Sequence, residues 1–124
     1  MPLNKTNIKK LIKALKSPKY TKIRGKLRNA DGYDVLGLAC EVYRLTSGAG
    51  KWVKVSSSKD GEQSFGDDNP GLAAVLPKEV VKFYGFKDDC PGIKYKGKET
   101  LLVDLNDYYK LPFTKIAEVL ENNL

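Results

Sequence analysis

Ile8, Leu11, Ile12 and Leu15 recur at i, i+3, i+4 and i+7, the spacing of one helical stripe, while Lys9, Lys10, Lys13 and Lys16 fall away from it. The pattern predicts a helix over about residues 6–16, capped by Asn4 or Thr6. It stops at SPKY, because Pro18 cannot continue the ladder and restricts the residue before it. DVLGLACEVYRLTSG carries a wider band. Val35, Leu38, Ala39 and Val42 make one row, with Leu36, Cys40 and Tyr43 beside it, between an N-cap at Asp34 and the glycines of TSGAG. A band this wide predicts a central, mostly buried helix. LPKEVVKFYGF predicts a short helix with Pro77 in its first turn and Gly85 after its end. In LLVDLNDYY, with Thr100 as cap, Leu101, Leu105 and Tyr108 share a face, with Leu102 and Tyr109 near it. After Pro112, Phe113, Ile116, Ala117 and Leu120 form the last stripe.

The remaining segments read as strands and turns. KWVKV holds strand formers, Asp60-Gly61 predicts a turn into a strand near Gln63–Phe65, and IKYKGKET predicts a short strand or a hairpin at Lys96-Gly97. YTKIRGKLRNADGYD stays open: Ile23 and Leu27 fit a short helix, and the same residues fit a strand ending at the NADG corner. The expected fold is α+β and mainly helical. Four to five helices surround a small antiparallel sheet or hairpin drawn from Trp52–Val55, the neighbourhood of Phe65, and Ile93–Tyr95. Residues 1–124 read as a single domain. The expected core is Ile8, Leu11, Leu15, Leu36, Ala39, Val42, Val80, Leu101, Leu105, Phe113, Ile116 and Leu120.

A chain of 124 residues buries roughly two-thirds of its unfolded surface, so it needs no disulfide or metal staple. No apolar run approaches the ~20 residues that span a bilayer, and MPLNKTNIKK lacks the apolar stretch of a secretory signal. The expected compartment is the cytoplasm. Cys40 and Cys90 match no zinc or redox spacing and read as reduced thiols. The sequence contains no histidine. That removes the commonest general base and every Ser-His or Cys-His nucleophile pair, which weighs against most hydrolase mechanisms.

Charge changes the picture more. The net charge is +7, yet residues 1–28 hold ten Lys or Arg and no acid, leaving twelve bases against all fifteen acids in the rest. The basic character therefore belongs to the N-terminal quarter, which suits an anionic partner. Within it, KYTKIRGKLR sets Lys19, Lys22, Arg24, Lys26 and Arg28 at near-alternate positions with Tyr20 available to stack. In an extended segment they would share one face against a phosphate backbone; the alternative is a solvated basic surface. The first helix, basic and amphipathic, also fits a membrane surface, but its four apolar residues and lack of an aromatic anchor favour packing on the core.

Other constellations weigh less. Asp60, Glu62, Asp67 and Asp68 do not have EF-hand spacing and read as a solvated loop, so no metal site is expected. Asn106 and Asp107 form the most enzyme-like fragment, with Tyr108 or Lys110 as acid–base companions, although Asn and Asp at a helix end more often bond to backbone. Asp31 and Asp34 at NADGYD read as turn and cap residues. IAEVL sits where helix-turn-helix proteins carry their supporting helix, but the chain closes at Leu124 with no reading helix behind it. The exposed face of residues 112–122 would carry Lys115, Glu118, Glu121 and Asn122, more acid than base. A helical hairpin closing the core is the expectation.

GKLRNADGYDVLGLACEVY, LPKEVVKFYGF and LVDLNDYYKLPFTKIAEVLENNL, in that order, resemble a group of small uncharacterised proteins common in bacteriophage and prophage genomes. Their pattern runs through a Leu-Gly-x-x-Cys helix, a Leu-Pro helix ending in glycine, and a final Leu-Asn-Asp…Phe…Ile-Ala helix pair. Where many members carry cysteines before Leu-Gly, this chain has Asp34 and Val35, so only Cys40 matches. The resemblance implies a phage-associated origin and no particular activity. The function expected is a non-catalytic, phage-associated accessory binding protein. Its basic N-terminal quarter, through Lys19, Tyr20, Lys22, Arg24, Lys26 and Arg28, contacts nucleic acid or an acidic host protein. One alternative is a protein that holds or sequesters a small nucleotide-like anion between Arg24, Arg28 and Tyr33; another is an enzyme built on a buried Asp–Lys or Asp–Tyr pair. No cofactor is expected.

Overall fold

The computed structural model describes residues 3–55, 59–66 and 75–124. Among them are five helices and two separate antiparallel hairpins: α1 (Lys5–Lys16), α2 (Val35–Ser47), β1 (Trp52–Lys54), β2 (Gln63–Phe65), α3 (Lys78–Tyr84), β3 (Gly92–Tyr95), β4 (Lys98–Leu101), α4 (Leu102–Asp107) and α5 (Phe113–Asn122). The α+β, mainly helical reading holds. The strands make two hairpins, β1–β2 and β3–β4, which are not joined to each other; Gln63 N–H of β2 also donates to the Arg28 carbonyl at 2.9 Å.

α2 is the hub. Val35, Leu36, Leu38, Ala39 and Cys40 are fully buried, and the helix packs against α1, α3 and α4. Asp34 caps it, with its carboxylate accepting from Gly37 N–H at 2.7 Å. Gly48, in the left-handed region, ends it. Gly37 has a specific reason to be glycine: a Cβ there would sit 1.7 Å from the Leu27 carbonyl oxygen. α1 starts at Asn4, whose side chain accepts from Asn7 N–H at 3.1 Å. Its apolar stripe of Ile8, Leu11, Ile12 and Leu15 packs on α2, α3 and α5. Tyr84 of α3 is wholly buried, and its hydroxyl donates to the Ala39 carbonyl at 2.6 Å.

Eleven of the twelve expected core residues are buried; Leu101 is 41% exposed. It ends β4 and caps α4 by its backbone instead of entering the helix. The reason is that β4 runs directly into α4: Thr100 stays in the hairpin opposite Ile93, and the first helical residue is Leu102, whose N–H is taken by the Pro91 carbonyl at 2.8 Å. α4 then stops at Asp107, so Tyr108 and Tyr109, expected on or beside the core face, lie 75% and 46% exposed.

Candidate functional site

The loop between α1 and α2 carries the basic residues singled out in the sequence, and it is neither a helix nor a regular strand. Ile23 N–H donates to the Tyr33 carbonyl (2.8 Å) and Tyr33 N–H to the Thr21 carbonyl (2.9 Å), so the two ends of the loop run side by side. Asn29 closes the NADG corner, its side-chain oxygen accepting from Asp31 and Gly32 N–H at 2.8 and 3.2 Å. Leu27 points fully into the core.

Asn106 ties this loop to the rest of the fold. It is fully buried; its amide donates to the Ile23 carbonyl (2.7 Å) and to Asp107 (2.8 Å), and its oxygen accepts from Val35 N–H (3.1 Å). Asp107 in turn accepts from Gly25 N–H with both oxygens at 3.2 Å. The LND fragment is therefore a polar clasp that joins the end of α4 to the loop and to the start of α2. The acid–base companions considered for it do not join it: Tyr108 is exposed and Lys110 lies in an exposed left-handed corner.

The alternate basic residues do not form one face. Lys22 turns inward and donates to the Asn106 carbonyl at 3.1 Å; partial burial, with Arg24 beside it, lowers its pKa, opposed by Asp107. Lys26 pairs with Asp60 at 2.8 Å, a bond that raises its pKa, and lies 3.9 Å from Glu62. Two of the acids considered as a calcium loop are thus engaged by Lys26; Asp67 and Asp68 lie outside the described residues. Arg28 is stacked on rings, 4.9 Å from the Tyr33 centroid and 5.2 Å from that of Trp52. Tyr20 is half-buried edge-to-face on Tyr33, with Lys19 5.5 Å above it. Lys19 and Arg24 keep exposed side chains with no ion pair among the described residues.

The larger basic surface is the outer face of α1. Lys5, Lys9, Lys10 and Lys13 are exposed and make no ion pair among the described residues, whereas Lys16 is held by Glu121 at 2.7 Å. Lys5, Lys9 and Lys13 stand in an i, i+4, i+8 row, about 6 Å apart along the axis at about 1.5 Å rise per residue. Lys13 and Lys16 also complement the carbonyl end of the helix. A shallow groove of ≈ 580 Å³ runs beside this row, between Lys9, Lys13 and Lys16, over Ile12 and Leu124. These lysines were visible in the sequence as the polar side of an amphipathic helix; their role as an open charged surface follows from where the acids sit in the folded chain.

The remaining buried carboxylates hold the structure together. Asp34 is 1% exposed; burial pushes its pKa up to about 7, against the bonds from Gly37 and Leu36 N–H, with Asp107 adding to the rise. It lies too deep for a substrate to reach. Burial also pushes Glu41 up, but hydrogen bonds from Arg44 and the Trp52 ring N–H (2.8 and 3.0 Å) outweigh it and hold its carboxyl below the ordinary range. Both thiols are pushed up by burial, Cys40 strongly, so neither is a poised thiolate. The groove beside Lys9 and Lys13 is not lined by Arg24, Arg28 or Tyr33. α5, which carries IAEVL, packs against α1 and β3 as a helix closing the core, and its outer Lys115 and Glu118 pair with each other at 3.2 Å. No described helix is long and apolar enough to cross a membrane.

Residues 4–124 match the family model for a domain of unknown function (DUF8296), so the chain belongs to that family. No curated protein and no solved structure matches it.

Proposed function

We propose that this member of the DUF8296 family is a non-catalytic, phage-associated binding module that contacts nucleic acid through the exposed lysine face of α1. The observation that carries this reading is the row Lys5, Lys9 and Lys13, with Lys10 beside it, open to solvent on a regular helix in a segment without a single acid. Such a row replaces the condensed counterions of a polyanion, which are released into solution, and this gain is independent of sequence. The basic loop takes a smaller part than its composition promises. Lys22, Lys26 and Arg28 are engaged within the protein, and Lys19 and Arg24 are the two that extend the basic surface.

Two variants separate the helix from the loop. Changing Lys5, Lys9, Lys10 and Lys13 to Gln preserves helix propensity and removes four charges. This variant is expected to lose most binding to labelled DNA and RNA in fluorescence anisotropy at low salt. A variant with Lys26 and Arg28 changed to Ser, checked for folding by circular dichroism, is expected to retain it. The reverse ranking would return the interface to the loop, and no binding by the unmodified protein would overturn the reading.

A further inference from the structure

A second surface joins aromatic rings to lysines at the corner between the β3–β4 hairpin and the end of α4. The Tyr109 ring sits edge-to-face with Tyr108 (centroids 5.1 Å) and with Tyr95 (5.3 Å). Tyr108 is the most exposed of the large hydrophobic side chains, at 75%. Two lysines flank the rings in the left-handed region that side-chain-bearing residues rarely adopt, Lys96 (φ 51°) in the hairpin turn and Lys110 (φ 56°) after α4. At Lys96 this conformation belongs to the two-residue turn Lys96-Gly97 that joins β3 to β4. The Lys96 ammonium lies 5.4 Å from the Tyr95 centroid, and Lys94 and Lys98 are exposed on the same hairpin. Acids share this neighbourhood: Glu99 and Asp104 line the hollow of ≈ 350 Å³ beside Tyr108, and Glu118 and Glu121 line the groove at Tyr95.

This corner connects to α1. Tyr95 lines a groove of ≈ 800 Å³ that reaches Leu111, Lys115 and Lys16. Lys16 and Glu121 also border the groove beside Lys9 and Lys13. The lysine row and the tyrosine corner therefore lie at two ends of one surface track, and its middle is charge-balanced by the Lys16–Glu121 and Lys115–Glu118 pairs.

We propose that this track binds single-stranded nucleic acid, with the backbone on the α1 lysines and bases stacked on Tyr108, Tyr109 and Tyr95. The backbone half rests on the function proposed above; the stacking half rests on the tyrosines alone. Bases offer flat faces to an exposed ring only when they are unstacked, which favours single strands over duplex. An acidic peptide would satisfy the lysines and leave the ring faces uncovered.

The test uses labelled single strands of about 16 nucleotides, enough for one compact site, together with an abasic deoxyribose-phosphate oligomer of equal length, a duplex and polyglutamate. The unmodified protein is expected to bind the base-bearing strand, as DNA or RNA, about tenfold or more tightly than the abasic one. Changing Tyr108 and Tyr109 to Ala should erase that preference and leave abasic binding unchanged, while changing both to Phe should keep it. Equal binding of base-bearing and abasic strands, or a preference that survives the Ala changes, overturns the stacking site and leaves the lysine face standing. Tighter binding of polyglutamate than of any strand overturns the inference in favour of an acidic protein, and no binding of any strand overturns both readings.

Discussion

Changing Asp34 to Asn should stabilise the fold at neutral and alkaline pH and lose or reverse that gain in acid. The Asp34 carboxyl is buried at the start of α2, where removal from water and the nearby Asp107 raise its pKa from the ordinary 3.8 to about 7. In the unfolded chain it loses its proton near 3.8, and in the folded chain it keeps it to about pH 7. Between those values the folded state binds more protons, so stability falls as pH rises, and above pH 7 the whole penalty is present. At about 1.36 kcal/mol per pH unit the ceiling is about 4 kcal/mol. Asn keeps an acceptor for Gly37 N–H and is an equally good N-cap. Its amide is also buried, which offsets about 1–3 kcal/mol of the gain if it finds no acceptor. The net expectation is a gain of about 1–3 kcal/mol above pH 7 that falls by about 4 kcal/mol towards pH 4, where the variant becomes the less stable protein. Urea unfolding of both proteins at several pH values between these limits reads the difference directly, because every other titrating group is shared. A difference independent of pH, or a gain that grows towards acid, would refute the argument.

Other substitutions probe the packing and the clasp. Gly37→Ala drives a methyl group into the Leu27 carbonyl and should cost about 3 kcal/mol or more, beyond ordinary overpacking, read as a large fall in thermal midpoint. Asn106→Ala removes bonds to Ile23, Val35 and Asp107 at a fully buried position; a loss of about 2–4 kcal/mol is expected in chemical denaturation, with faster amide exchange at Val35. Lys110→Gly releases a left-handed lysine and should raise stability by about 0.5–1 kcal/mol; a fall would mean that the lysine side chain contributes more than its backbone conformation costs.

The helices that build the core were legible because their stripes are local. α1, α2 and α5 follow from spacing alone, and the caps at Asn4 and Asp34 follow from residue type. The basic loop was not legible, since partners 71–84 positions away set its shape: Asn106 holds Ile23 and Val35, and Lys22 reaches the Asn106 carbonyl. No period in KYTKIRGKLR encodes those bonds. The reading of Asn106 as a backbone-bonding residue had the right chemistry and the wrong range, because its backbone partners Ile23 and Val35 lie across the fold, while within its own corner it bonds to the Asp107 side chain. The tyrosine corner was hidden by helix length. LLVDLNDYY has the spacing of a longer helix, but α4 ends at Asp107, and Tyr108 and Tyr109 lie in solvent ahead of the left-handed turn at Lys110. The YYKLP stretch was the available signal, since a proline two residues after a lysine marks a helix end upstream.

The most direct test of the central claim is the salt dependence of nucleic-acid binding, compared between the unmodified protein and the variant with Lys5, Lys9, Lys10 and Lys13 changed to Gln. Each phosphate contact contributes about 0.7–0.9 to the slope of log K against log salt. If the α1 face is the interface and each of its four lysines holds one phosphate, the unmodified protein binds with a steep negative slope, and the variant binds weakly with a slope shallower by about 3. Equal slopes for the two proteins, or tight binding indifferent to salt, would contradict it.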